Sequence, residues 1–265
     1  MNNIEQILNQ IVTKSPLVHN ITNYVVMNST ANALLSLGAS PIMAHAIEEV
    51  EDITFISSAL VINMGTLSKK WIDSMLLAIK KAEETNTPFV FDPVGVGASA
   101  YRTETALKII KTAIPTVIRA NASEIMALAQ LSQATKGVDS TMNTQDALEG
   151  AILLSKKLRN TIVISGAVDY IVTGDSISEI HNGNALMSKV TGMGCTATAV
   201  IGACIAVEKD SHKAAVAAMA IMGIAGDMAQ EVSNGPGSFQ INFLDSLHQI
   251  SVEDLKQKIK LDAGF

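Results

Sequence analysis

The sequence predicts an α/β fold: a mostly parallel central sheet with an antiparallel edge and helices on both faces. Short β-branched runs alternate with helical stretches, which is the pattern of βα units. The runs near Phe91 and Ile164 are continuously apolar, as strands covered on both faces are. Residues 161–178 indicate a hairpin, because two apolar runs flank a turn at Gly166 and another turn follows at Gly174.

The elements follow from the same patterns in chain order. Short apolar runs predict strands over residues 39–43, 59–63, 88–91, 116–119, 161–165 and 170–173. Helical spacing of apolar residues predicts helices over residues 23–37, 69–84, 103–111, 122–131 and 144–158. After Cys195 the pattern changes to helix upon helix, with no convincing strand. No repeat or long linker divides the chain, so we expect one domain over residues 1–265.

The composition excludes several classes of protein. Of the 265 residues, 48% are apolar and 17% charged, which rules out disorder for the bulk of the chain. A net charge of −6 without a long basic run offers no surface for nucleic acid. The apolar runs 196–207 and 214–226 are shorter than the roughly 20 residues of a membrane span. Two cysteines and no visible secretory signal make the cytoplasm the expected compartment.

The junction Thr191-Gly192-Met193-Gly194-Cys195 carries the sharpest chemical signal. Two glycines precede an unbroken helical run from Cys195, so several backbone N–H groups lack partners and can bind an anion. The spacing matches neither a dinucleotide fingerprint nor a Walker A loop. The alternative is a glycine turn before a buried helix, with Cys195 as a small core residue.

Polar residues follow two other predicted strands. Asp92 ends one of them, where its carboxylate can approach a metal-bound phosphate or simply cap the turn. Asn121 and Glu124 have the spacing of a capping box, which is compatible with magnesium binding through a water. Arg119 ends an otherwise apolar strand and needs a partner, for which an anionic ligand is suitable. No pair of histidines has the spacing of a zinc site.

Together these junctions resemble the hydroxyethylthiazole kinase family, which has the ribokinase-like three-layer fold. The likeness covers nearly the whole chain, and the order and spacing of its motifs make it specific. The motifs are SPLVHNITN (15–23), TAN (30–32), GASPIM (38–43), NMGTL (63–67), DPVG (92–95), RANASE (119–124), GAVD (166–169), HNG (181–183), TGMGC (191–195) and GPGSFQ (235–240).

The resemblance implies transfer of the γ-phosphoryl group of ATP, with Mg²⁺, to the hydroxyl group of 4-methyl-5-(2-hydroxyethyl)thiazole, in thiamine salvage. It also implies a homotrimer with active sites at subunit boundaries. The residues implicated by position are Met43, Gly192 and Asn23 for the thiazole, Arg119, Ser165 and Asn121 for ATP, Asp92 and Glu124 for Mg²⁺, and Gly192, Gly194 and Cys195 for the transfer itself.

The chain departs from the family's usual residues at two positions, Met193 and Ser165, and shares with the family a cysteine that other kinases of this fold lack. Other ribokinase-like kinases have an Asp as general base where this chain has Cys195. A thiol with a pKa of about 8.5 is largely protonated at neutral pH unless the helix lowers it, so we expect a weak base and slow turnover. Met193 stands where Thr or Ala is usual, and Ser165 where Thr is common; neither alters the assignment.

Three other functions remain open at this point. A kinase of the same fold acting on hydroxymethylpyrimidine or another small alcohol is expected to have Asp in place of Cys195. An ADP-dependent dehydratase of this fold is expected to have the same Asp. A non-catalytic sensor of thiazole or nucleotide would not need Asp92, Glu124 and Arg119 together.

Overall fold

The computed structural model describes residues 2–133 and 144–264, which build a nine-stranded sheet covered by helices. The strands are β1 (Leu17–Ile21), β2 (Ser40–Ile42), β3 (Ala59–Asn63), β4 (Phe89–Asp92), β5 (Val117–Asn121), β6 (Thr161–Ser165), β7 (Asp169–Thr173), β8 (Ser176–Ile180) and β9 (Leu261–Gly264). The helices are α1 (Asn2–Lys14), α2 (Met27–Leu37), α3 (Val50–Ile56), α4 (Lys69–Thr85), α5 (Ala100–Thr112), α6 (Ala122–Gln133), α7 (Thr144–Leu158), α8 (Met193–Ile205), α9 (Ser211–Glu231), α10 (Pro236–Gln249) and α11 (Val252–Lys258), with a short 3-10 helix (Ala185–Lys189) before α8.

The sheet has the strand order β2-β1-β3-β4-β5-β6-β7-β8-β9. Neighbouring strands from β2 to β6 run parallel, and those from β6 to β9 run antiparallel. The predicted parallel sheet with an antiparallel edge is therefore confirmed. Because β1 to β6 point the same way, the loops that follow them meet along one edge of the sheet, where ligands bind in open α/β folds.

The two faces of the sheet bury side chains of different size. Val61 and Val117 pack on the side of α8 and α9, while their chain neighbours Ile62 and Ile118 pack on the side of α4 to α7. Helix α8 lies very close to the valine side, since a Cβ at Gly202 would stand 2.6 Å from Cγ2 of Val61. This close packing fixes the direction of α8 and places its N-terminus at the loop edge of the sheet.

Several predicted elements need correction. The expectation of no strand after Cys195 is wrong, because β9 pairs antiparallel with β8. Its four residues include no β-branched side chain, so only the pairing with an edge strand makes them extended. Helix α2 begins at Met27 rather than Asn23, and α8 begins at Met193, two residues before Cys195. Helices α1 and α3 and strand β1 were not predicted.

The length and polarity of the helices were compared with the requirements of a membrane span. Within residues 2–133 and 144–264, no helix combines the length and apolar character needed to cross a bilayer.

Candidate active site

Five buried or half-buried side chains at the loop edge form a hydrogen-bonded group, here called the polar network: Asn23, Asn63, Asp92, Cys195 and Thr198. Asn63 donates to Oδ2 of Asp92 (2.7 Å) and accepts from Nδ2 of Asn23 (2.8 Å). The same Asn23 nitrogen lies 3.5 Å from Sγ of Cys195. Thr198 donates its hydroxyl to Oδ2 of Asp92 (2.7 Å). The network thus links the loops after β1, β3 and β4 to helix α8.

Asp92 is the charged centre of this network and is fully buried. Burial raises the pKa of its carboxyl group to about 6, against the lowering effects of Arg119, Thr198 and Asn63. Nη1 of Arg119 stands 3.7 Å from Oδ2. The other oxygen, Oδ1, has no hydrogen-bond partner among the described residues. A buried carboxylate oxygen without a partner is costly unless a ligand completes it.

Arg119 connects the network to the neighbouring strand. Its Nη2 donates to Oγ of Ser165, while its Nε has no partner in the described part of the chain. The guanidinium group lies directly under the backbone of Gly194, where a Cβ would overlap Nη1. The predicted residues Arg119, Ser165 and Gly194 are therefore brought together.

The N-terminus of α8 forms the wall above Arg119. Gly192 has a φ of +86°, and a Cβ there would stand 2.6 Å from Cγ1 of Val26, so only glycine fits. The first helical hydrogen bond runs from the N–H of Thr196 to the carbonyl of Gly192 (2.8 Å). Helix geometry leaves the N–H groups of Met193 to Cys195 without intrahelical partners. These groups and the helix dipole favour an anion at this point.

Cys195 lies in this first turn and keeps its proton. Burial is the main cause that raises the pKa of the thiol above its usual value, and the nearby charge of Asp92 raises it further. Hydrogen bonds from Asn63 and Asn23 and the charge of Arg119 lower the pKa, but by less. Cys195 is therefore a thiol at neutral pH, which sharpens the expectation of a weak base.

A cavity of about 660 Å³ opens beside the α8 N-terminus. Four predicted residues line it: Arg119, Ser165, Gly192 and Gly194. Another part of the lining, here called the far wall, contains Asn182 to Ala185 and Met187 together with three residues of α9, which are Met219, Met222 and Gly223. Asp169 also lines the cavity; burial raises the pKa of its carboxyl group to about 6, and its Oδ1 accepts from the N–H of Gly166 (2.9 Å).

Glu124 and Asn121 form the predicted capping box. Oδ1 of Asn121 accepts from the N–H of Glu124 (2.9 Å), and Oε2 of Glu124 accepts from the N–H of Asn121 (3.0 Å). Oε1 of Glu124 accepts from the N–H of Gly95 (2.7 Å), three residues after Asp92. Oδ1 of Asn121 is thus occupied by the cap, and Asn121 does not line the 660 Å³ cavity.

The two carboxylates fit a magnesium ion. Asp92 supplies the unpartnered Oδ1, and Glu124 retains lone pairs beyond its two backbone bonds. Magnesium needs only one or two carboxylates, because waters and substrate phosphates complete its shell. No cluster of three acidic, His or Cys side chains suited to a metal occurs in residues 2–133 and 144–264.

Met43 stands apart from the rest of the predicted site. It directly follows β2, next to β1, so it lies on the same edge of the sheet as Asn23. Its carbonyl group is 3.4 Å from Nδ1 of His45. Met43 lines neither the large cavity nor the polar network.

Asn63 and Thr198 belong to the polar network but were not among the predicted site residues, although Asn63 opens the NMGTL motif. Asn63 had a usable signal, since it ends β3 at the edge where ligands gather. Thr198 lies one turn after Gly194 in the mostly apolar helix α8, and its bond to Asp92 joins residues 106 positions apart. Nothing in the local pattern indicates such a distant partner.

Comparison with known proteins decides the family. The hydroxyethylthiazole kinase family model matches residues 8–253. The chain belongs to the hydroxyethylthiazole kinase family. It is 55% identical to the hydroxyethylthiazole kinase of Leptospira biflexa, over 97% of this chain and 96% of the relative, and 51% identical to that of Syntrophus aciditrophicus, over 95% and 94%.

Solved structures agree with this family. The hydroxyethylthiazole kinase structure from Pyrococcus horikoshii matches with a TM-score of 0.93 and 38% identity, over 100% of both chains. The pyridoxal kinase from Staphylococcus aureus in complex with AMP-PCP matches with a TM-score of 0.68 at 16% identity, over 94% of this chain and 99% of that one. The second match shows the fold alone, and the expected ribokinase-like fold is confirmed.

Proposed function

We propose that this chain transfers the γ-phosphoryl group of ATP to the hydroxyl group of 4-methyl-5-(2-hydroxyethyl)thiazole in thiamine salvage. The observation that carries the proposal is the meeting of the α8 N-terminus, the Arg119 guanidinium and the Asp92 carboxylate at one point. Phosphoryl transfer depends mostly on positioning and on charge stabilisation, and this arrangement offers both. The family's name supplies the acceptor alcohol.

The phosphate groups of ATP are held by three kinds of donor. The free N–H groups of Met193 to Cys195 face the transferring group, Arg119 neutralises charge, and Ser165 borders the same cavity. We assign Asp92 and Glu124 to a magnesium ion, which would supply positive charge to the phosphate groups. Asn121 would serve ATP only indirectly, by capping α6 and orienting Glu124.

The acceptor alcohol is assigned to the side of Asn23, Met43 and Gly192. Asn23 is buried and held by Asn63, so its amide is fixed beside Cys195. The protonated thiol of Cys195 is a poor base, but phosphoryl transfer through a loose transition state needs little help from a general base. We therefore assign the rate chiefly to positioned charge, and slow turnover remains a prediction.

The test is a product assay with the purified protein, Mg-ATP and a panel of alcohols: the thiazole alcohol, hydroxymethylpyrimidine, pyridoxal and sugar alcohols. We expect mass spectrometry to show phosphorylated thiazole as the main product. Arg119→Met should abolish this product and thereby exclude a contaminating kinase. Phosphorylation of the pyrimidine instead of the thiazole would overturn the assignment. Binding of thiazole or ATP without any product would favour a sensor.

We also propose a homotrimer with active sites at subunit boundaries. Its support is an exposed apolar surface beside the acceptor side of the site. Tyr24 and Val25 directly follow Asn23 and are 63% and 62% exposed, and Phe55 and Ile56 in α3 are 66% and 61% exposed. Sedimentation should give the mass of three chains. A stable and fully active monomer would remove the shared site.

The proposed compartment is the cytoplasm. Both cysteines, Cys195 and Cys204, are free thiols, as expected of a protein kept in a reducing environment. Fractionation of cells that produce the protein would test this assignment.

A further inference from the structure

We infer that Arg102, on helix α5, is a positioning residue for phosphoryl transfer. It ties the loop after β3 to the loop after β4, and these loops directly follow Asn63 and Asp92 of the polar network. The inference rests on the proposed kinase function but concerns a residue outside the site assigned above.

The side chain of Arg102 joins both loops at short range. Its Nη1 donates to the carbonyl of Met64 (2.7 Å) and to that of Val94 (2.6 Å), and its Nη2 donates to the carbonyl of Gly65 (2.8 Å). The carbonyls of Met64 and Gly65 belong to the loop after β3, and the carbonyl of Val94 belongs to the loop after β4. One guanidinium group therefore holds two separate loops.

The chemistry of these contacts favours arginine over any other residue. Carbonyl oxygens only accept hydrogen bonds, and guanidinium presents five donors in a fixed plane. No ion pair joins Arg102 to a carboxylate of the described residues, so its charge is directed at the carbonyl dipoles. The path of the side chain is also constrained, because a Cβ at Gly95, whose φ is +73°, would stand 3.1 Å from Cδ of Arg102.

Each clamped loop holds a group of the active site. On the β3 side, the N–H of Gly65 donates to Oδ1 of Asn63 (2.9 Å), the amide that orients Asp92. On the β4 side, the N–H of Gly95 donates to Oε1 of Glu124 (2.7 Å). Loss of the clamp would allow the two loops to shift against each other. The expected damage is to the alignment of the reacting groups more than to the binding of either substrate.

The test compares Arg102→Ala and Arg102→Lys with Lys108→Ala, which removes an exposed positive charge from the same helix. Steady-state assays would measure kcat and the KM for both substrates. Trp71 fluorescence and circular dichroism would report folding. We expect Arg102→Ala to lower kcat about 100-fold, the loss typical of a small misalignment, with KM changed much less. Lys108→Ala should match the wild-type protein.

Chemical rescue adds a readout that a merely structural role would not move. Millimolar guanidinium chloride should restore several-fold activity to Arg102→Ala, whereas the same concentration of KCl should not. Arg102→Lys should fold and keep a lowered kcat, because an ammonium group cannot reproduce the planar fork. If Arg102→Ala does not fold, this lysine variant decides by the same kcat and KM criteria.

The outcomes separate the two proposals. A wild-type protein that does not phosphorylate the thiazole contradicts the proposed function before any variant is measured. With an active wild-type protein, a folded Arg102 variant with unchanged kcat overturns the clamp. The positioning role of Arg102 is also contradicted if only KM rises, if guanidinium does not restore activity, or if neither Arg102 variant folds.

Discussion

The polar network and the far wall of the cavity are built in opposite ways. In the network, Asn63 and Thr198 hold Asp92 with bonds of 2.7 Å in a fully buried position. The far wall is lined instead by thioether side chains such as Met219 and Met222. Methionine adapts its shape to what it contacts. The molecule is therefore rigid where charge moves and adaptable where the rest of a nucleotide would lie.

This difference indicates that the polar network, not the far wall, makes the main contribution to the rate. Preorganised charges stabilise a transition state because they need no rearrangement during the reaction. The fold maintains such charges by burying Asp92, at the cost of a pKa raised to about 6. We therefore expect the largest effect where a charge is removed, and smaller effects where a charge is displaced or loses one hydrogen bond.

The largest effect is expected from Asp92→Asn. This variant keeps the shape of the side chain but removes its charge and replaces the carboxylate proposed to ligate magnesium with a neutral amide. We expect kcat/KM to fall about 1000-fold, the upper range for loss of one electrostatic group. More Mg²⁺ should also be needed for half-maximal rate. An Asp92→Asn protein with wild-type kinetics in a magnesium titration would show that the charged centre lies elsewhere.

The stability of the same variant should depend on pH in a defined direction. The folded-state pKa of Asp92, about 6, lies above the ordinary value of 3.8. Protonation of Asp92 therefore stabilises the folded wild-type protein at low pH, and this stabilisation is lost as the pH rises through 6. The Asp92→Asn protein has no such pH-dependent contribution, because its amide does not titrate. Calorimetry should show its melting temperature, relative to the wild type, higher at pH 7.5 than at pH 4; a constant difference would contradict the shift.

The next largest effect is expected from Gly194→Ala. The new Cβ would overlap Nη1 of Arg119 and displace the guanidinium group. We expect kcat/KM for ATP to fall about 100-fold, as for other misplaced charges. Gly237→Ala is the matched control, because Gly237 is also the second residue of its helix and a Cβ there meets nothing within 4 Å. Equal losses in both variants would mean that the backbone, not Arg119, is at fault.

A smaller effect is expected from Thr198→Val, which deletes one hydrogen bond to Asp92. That bond lowers the pKa of Asp92, so its loss should raise it. In the wild type, kcat/KM should decrease as the pH falls through about 6, and in Thr198→Val this decrease should begin at higher pH. The rate at pH 8 should fall about tenfold, the value of one such bond. Thr198→Ser retains a hydroxyl group and should behave as the wild type.

The sequence predicts the fold well because strand and helix patterns are local. It also places Ser165 correctly at the end of β6 and the Gly192–Cys195 turn at the start of a helix, since both follow from the parallel topology. The prediction that Arg119 ends its strand is wrong, because Arg119 is the middle residue of β5. The roles of the individual site residues stay predictions. What the sequence did not indicate are contacts between distant loops, such as Thr198 with Asp92 and Arg102 with three carbonyls.

The wrong prediction that helix α2 begins at Asn23 has a similar cause. Residues 23–26 continue the helical apolar spacing, but the main chain turns there, with the N–H of Val26 bonded to the carbonyl of Asn23 (3.2 Å). The side chain of Asn23 is then used by Asn63 across the sheet edge (2.8 Å). A tertiary hydrogen bond overrides the local preference, and no pattern within the helix reports it.

The smallest effect, and the most direct test of the account, is expected from Cys195→Ala. We expect positioned charge, and not proton removal by this thiol, to determine the rate of phosphoryl transfer. The decisive measurement is single-turnover phosphoryl transfer to the thiazole alcohol from pH 5 to pH 10. We predict a rate within about fivefold of the wild type, well below the 10²–10⁴-fold contribution of a general base, with the decrease near pH 6 retained. A loss above about 100-fold, together with the disappearance of a rise at high pH, would identify the Cys195 thiolate as the base and contradict the account.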